Sequence, residues 1–234
     1  RVRHRATVAR CCAVALAVAG APSCASRATA PEASAAGGVT AAPVSRAALD
    51  SADRDGWRER RDLHAGRLDR GGVAEWLEAA RASRSLALAL GAPEERGREL
   101  ARAESWARGA LRAAPEDAAA RYLVARLLLD RHRVGAVGGE VLAEARQLLA
   151  SVVAADRTFG SGAALEALAE TYALAGVGRA DSPELERAAQ FFEAALDVDA
   201  QLASAHLEYA ERVLWPWHDR TTATEHLRAC AAAL

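Results

Sequence analysis

One pattern recurs four times in this chain. A small residue is followed by a small or apolar residue at i+4 and by two more at i+7 and i+8. The copies are Ala103/Ala107/Ala110/Leu111, Ala145/Leu149/Val152/Val153, Ala188/Phe192/Ala195/Leu196 and Ala223/Leu227/Cys230/Ala231. These positions form one stripe along an α-helix. A small residue there lets a second helix approach closely, and the apolar neighbour fills the space behind it. Each copy therefore marks the second helix of an antiparallel pair. A chain carrying four such stripes is constrained to a stack of helical hairpins.

The spacing refines this. Ala103 to Ala145 is 42 residues, Ala145 to Ala188 is 43, and Ala188 to Ala223 is 35. Only the last step is near the tetratricopeptide unit of about 34 residues. The surplus falls in Val134–Gly139 and Gly176–Asp181, each between the two helices of a pair. A proline after the copy survives only as Pro115. Arg157 and Ala200 replace it, although Asp156 and Asp199 keep the acidic residue before it. The expected fold is all-α, an α-solenoid of degenerate tetratricopeptide-like hairpins that binds something rather than reacts with it.

Composition agrees. Of the 234 residues 51% are hydrophobic but only 5% aromatic, so the apolar mass is Ala, Leu and Val, as in helices with close axes. Thirty basic and 31 acidic residues leave a net charge of −1, interspersed rather than blocked. Such a chain has no field with which to hold nucleic acid.

Residues 1–24 form a different object. Arg1, Arg3, His4, Arg5 and Arg10 make a basic head, Cys11–Gly20 an apolar run, and Ala21-Pro22-Ser23-Cys24 a small-residue exit, the layout of an export signal. Cys24 is a candidate lipidation site, and Ala28-Thr29-Ala30 is the alternative, an ordinary cleavage site. Ala25 after Cys24 gives no inner-membrane retention signal, so the expectation is a periplasmic, cell-envelope protein anchored by lipid to the outer membrane. Residues 25–45 are Ala, Ser, Pro, Thr and Gly with almost no large apolar side chain, the composition of a disordered tether. With Cys11, Cys12 and Cys24 consumed or removed, Cys230 is the one thiol of the repeat domain, residues 46–234. Its place in a small-residue stripe predicts buried packing.

Periodicity and breakers place helices over 46–63, from Val73 past Ala80, and over 94–113, 116–133, 140–155, 162–175, 183–197, 201–214 and 219–233. Ser182 before Pro183 is a helix start, and so is the Pro115-Glu116-Asp117 step.

Within that framework one region is more specific. Ala155-Asp156-Arg157-Thr158-Phe159-Gly160-Ser161-Gly162, Leu168-Ala169-Glu170-Thr171-Tyr172, Ala188 to Leu196, Tyr209-Ala210-Glu211 and His218-Asp219-Arg220 together resemble the T-component lipoproteins of TRAP (tripartite ATP-independent periplasmic) transporters. The likeness covers about the last 90 residues. It implies a tetratricopeptide-like fold, homo-oligomers, a periplasmic solute-binding protein as partner and a small organic or hydrophobic ligand.

Signals for chemistry are weak. Gly135, Gly138 and Gly139 follow no strand and precede no Lys-Ser/Thr, so they make a long connection rather than a phosphate cradle. His218 and His226, eight residues apart, stand about 12 Å apart along a helix, too far to share a metal ion. With His132 they read as solvated. No nucleophile lies beside a base, so neither catalysis, a metal nor a cofactor is expected. The exception to this plainness is Trp215-Pro216-Trp217-His218, between the last two helices. These tryptophans either fold back to cap the core or, with His218, meet a partner. The leading expectation is a non-catalytic transport accessory, and the alternative is a general envelope scaffold. A deep apolar channel would favour the first and an open polar face the second.

Overall fold

The computed structural model describes residues 46–234 except Ala180, with side chains from Asp53 onward. Its helices follow the sequence closely: α1 Arg46–Ala65, α2 Val73–Ala89, α3 Pro93–Ala113, α4 Ala118–Arg133, α5 Val141–Ala155, α6 Ala163–Ala175, α7 Pro183–Val198, α8 Ala203–Tyr209 and α9 Arg220–Ala232. No strand occurs among the described residues. Residues 1–45, where the export signal, Cys24 and the tether are expected, lie outside them.

Local chemistry sets the ends. Asp117 Oδ1 accepts from Ala120 N at 2.8 Å and Ser182 Oγ from Leu185 N at 3.3 Å, capping α4 and α7. The retained acidic residues have a different task. At the ends of α5 and α7, Asp156 and Asp199 each accept from the backbone N–H two residues on, at 2.8 and 2.9 Å. Such an Asx turn sets the chain's exit without proline, which explains why Arg157 and Ala200 are tolerated there.

Packing runs along the sequence. From α2 to α9 neighbouring helices contact each other in order, and α2, α4, α6 and α8 also contact one another in succession. Short connections make neighbours antiparallel, so the pairs are α2/α3, α4/α5, α6/α7 and α8/α9. The repeat stripes lie on α3, α5, α7 and α9, and their leading residues Ala103, Ala145, Ala188 and Ala223 are all fully buried. Cys230 is buried too. This is the expected all-α stack of tetratricopeptide-like hairpins.

Two hydrophobic clusters share α6. One takes Ala167 and Leu168 with residues of α2 to α5, and the other takes Leu165, Ala169 and Ala173 with residues of α7 to α9. Burial on both sides explains why α6 reads as an almost continuous Ala/Leu run rather than an amphipathic helix. Two glycines hold close approaches. Gly109 of α3 lies against the Trp76 ring of α2, where a Cβ would collide with it. Gly162 starts α6 at φ 89°, and a Cβ there would come within 2.9 Å of the Ala195 carbonyl.

One element departs from expectation. The eighth helix does not stay α-helical to Leu214, because Ala210–Leu214 forms a π turn in which Trp215 N donates to Ala210 O at 2.9 Å. The extra residue in that turn re-aims the tryptophan loop that leaves it.

Candidate functional site

Each first helix of a pair buries one flank against its partner and another against the next first helix. What remains is a narrow open face. On α4 it carries Ala119, Tyr122, Arg126 and Arg133, and on α8 Ser204 and Glu208, with Arg212 in the π turn that follows; the buried Glu166 and Glu170 of α6 lie beneath them. Arg81, Arg84, Ser85 and Leu88 continue the face onto α2.

Ion pairs tie these helices together. Arg84 Nε lies 2.6 Å from Asp130 Oδ2, joining α2 to α4. Glu170 receives two arginines of α4, with Arg133 Nε 2.5 Å from Oε1 and Arg126 Nη1 3.3 Å from Oε2. Arg133 also reaches across α6 to Glu208 of α8 at 2.9 Å, and Arg212 closes on the same carboxylate. Ser204 Oγ donates to Glu166 Oε2 at 3.0 Å. The ladder therefore crosses all four first helices.

Its α6 carboxylates differ electrostatically from the one on α8. Burial pushes the Glu170 carboxyl above its ordinary value and outweighs Arg133 and Arg126, and burial raises Glu166 in the same way against Arg126 and Ser204. At Glu208 burial acts in the same direction, but Arg212 and Arg133 together overcome it and hold the carboxyl below the usual range. The carboxylates of α6 lie deep and the arginines over them differ in exposure: Glu170 is fully buried, the Arg126 side chain is 12% exposed and that of Arg133 28%. The face thus presents guanidinium groups outward over a buried acidic floor, an arrangement suited to polar contact with another molecule.

The tryptophan loop is split. Trp215 stands 53% exposed directly after the π turn that carries Arg212. Trp217 packs back on the second hydrophobic cluster. His218 is exposed and holds a left-handed backbone at φ 61°, so it points the chain into the Asp219 cap of α9. The loop therefore holds one side chain turned inward and another turned to solvent.

Two features of the site lie beyond what the sequence pattern shows. Glu166 and Glu170, one turn apart in an otherwise apolar helix, were the visible sign of a charged floor, since carboxylates in such surroundings need partners. The solvated reading of His226 is corrected: its Nδ1 lies 2.7 Å from Nδ1 of buried His206, 20 residues away, while His206 Nε2 is 3.0 Å from the Ala200 carbonyl. That carbonyl only accepts, so in the neutral pair Nε2 of His206 carries the hydrogen and His226 Nδ1–H donates to His206. Nothing in the spacing of one helix reveals a contact between two. Among the described residues no group of three or more His, Cys, Asp or Glu is placed to hold a metal ion.

No protein-family model and no curated protein matches the chain. Solved structures do. "MamA 41-end from Desulfovibrio magneticus RS-1" is 22% identical with a TM-score of 0.46, covering 76% of this chain and 95% of that one. The structure titled "Functional Characterization of Pseudomonas Aeruginosa pilF" is 20% identical with a TM-score of 0.47, covering 80% and 78%, and "Crystal structure of MamA" is 14% identical at 0.47, covering 79% and 91%. Likenesses this distant leave the function to be argued from this chain's own geometry.

Proposed function

We propose that the chain is a non-catalytic adaptor whose first-helix face, from Arg81 on α2 to Trp215 past α8, docks a segment of another protein. The observation that carries this is the ladder itself. Four helices are locked side by side by ion pairs, which holds the face rigid, and rigidity lowers the cost of ordering on binding. Partly exposed arginines and one exposed tryptophan are also the residue types most often found at the energetic centres of interfaces. The face is open and charged rather than an apolar channel, which favours a general scaffold over a ligand conduit.

The test is the pair Arg126→Ala and Trp215→Ala against an outward substitution such as Gln147→Ala, with captured partner and melting temperature measured together. Loss of capture by Trp215→Ala at an unchanged melting temperature supports docking. Full capture by both face variants ends the proposal.

A narrower form is an accessory of a TRAP-type transport system, lipid-anchored at Cys24 in the cell envelope, oligomeric, and docking a periplasmic solute-binding protein with its small ligand. What supports it is the resemblance of residues 155–220 and the three-part leader. Membrane fractionation of Cys24→Ser tests the anchor. Release from membranes supports it, and unchanged fractionation removes it.

A further inference from the structure

At the α1 end of the first-helix face lies a half-open cleft of about 480 Å³. That is the size of a small-molecule site. Three aromatic side chains wall it: Trp57 of α1, Tyr122 of α4 and Phe159 from the turn after α5. Tyr122 and Phe159 sit with ring centroids 5.3 Å apart, tilted at 51°. Aromatic rings brought together from three separate elements form an apolar slot for a flat body.

The polar groups in the cleft are unequal. Arg81 is paired with Glu78 at 2.5 Å and Arg84 with Asp130 at 2.6 Å, so both are already engaged. Arg60 is different. Its guanidinium lies 5.0 Å over the Trp57 ring, and among the described residues no carboxylate pairs with it. The hydroxyls of Tyr122 and Ser85 likewise have no hydrogen-bond partner among the described residues. An uncommitted cation beside two uncommitted hydroxyls and three rings is complementary to one kind of ligand.

We propose that this cleft binds a small aromatic carboxylate, with the planar body between Trp57, Tyr122 and Phe159 and the carboxylate on Arg60. Ser85 and Tyr122 hydroxyls donate to its oxygens. Arg60 keeps its place over Trp57 when the anion arrives, so the charge-assisted bond forms on a preset donor. The cleft shares Arg81, Arg84, Ser85, Ala119 and Tyr122 with the first-helix face, but its ligand is a free small molecule whose binding is read without a protein partner, so the two proposals fail separately.

The experiment is isothermal titration of the full chain with indole-3-acetate and, as the neutral match, indole-3-acetamide. A ligand of this size held with ordinary efficiency reaches a Kd of about 1 mM or below. The acetate is expected to saturate in that range, the acetamide to bind at least about tenfold more weakly, and Arg60→Gln to bring the acetate down to the acetamide's level. Arg60 is exposed, so the melting temperature of that variant should not change. Phe159→Ala, which loosens the slot, is expected to weaken both ligands together. Equal binding of acetate and acetamide, no effect of Arg60→Gln, or no saturable acetate binding overturns the proposal.

Discussion

Removing the Glu170 carboxylate distinguishes a ladder that holds the first helices together from one that merely decorates them. Glu170 is fully buried and faces Arg133 Nε at 2.5 Å and Arg126 Nη1 at 3.3 Å. Truncating one member of a buried pair costs about 3 to 5 kcal/mol, chiefly because the charge left behind has no partner. The arginines soften that here. Arg133 retains Glu208 and a 28% exposed side chain, whereas Arg126, 12% exposed, is left facing the gap. Glu170→Ala should therefore fall at the lower end, about 3 kcal/mol, which for a chain this size lowers the melting temperature by roughly 6 to 12 °C. Glu170→Gln keeps the shape and one accepting oxygen, and should cost about 1 kcal/mol. The pH dependence has a definite sign. A carboxyl raised above its ordinary value of 4.5 stabilises the fold relative to the charged form below that value, and this contribution is lost as pH rises toward the raised one. Glu170→Gln should abolish that fall. Urea denaturation followed by helical ellipticity at pH 5 and pH 8 measures all three. Equal costs for Ala and Gln, or a wild-type stability that rises with pH through this window and does so equally in the Gln variant, would refute the assignment.

The other predictions use the same readout. Gly109→Ala gains about 1 kcal/mol of helix propensity but drives a methyl into the Trp76 ring, so a net loss of about 1 to 2 kcal/mol is expected, and a stabilised variant would show the ring moving freely. Trp217→Ala should cost about 3 kcal/mol because that ring packs on the second cluster, while Trp215→Ala should change stability by less than about 0.5 kcal/mol; equal losses would mean both cap the core. Burial and His206 hold His226 below the ordinary value of 6.5, so the unfolded chain takes up the proton first and stability is lost as pH falls below about 6.5. His226→Gln should flatten that loss, and an unchanged slope would place the titration elsewhere.

The hairpins were legible in the sequence because Ala103, Ala145, Ala188 and Ala223 carry their information locally, within two turns of one helix, and all four are buried as the stripe requires. Ser182 with Pro183 fixed the start of α7 for the same reason. The site was not legible in that way. Arg133 reaches Glu170 and Glu208, 37 and 75 residues away, through the stacking of three first helices, and no periodicity within one helix specifies which carboxylate it meets. The π turn at Ala210–Leu214 escaped because one inserted residue leaves the apolar pattern on both sides intact. It nevertheless decides that Trp215 faces solvent and Trp217 the core.

The adaptor reading seats a partner on the open face of the first helices. A photo-reactive residue placed in turn at Ala119 and Trp215 on that face, and at Gln147 and Gln190 on the outer face of the second helices, tests it directly in the cell. The expected result is one protein adduct of the same mass from positions 119 and 215 and none from 147 and 190. An adduct confined to the outer positions, or equal adducts from all four, would contradict it.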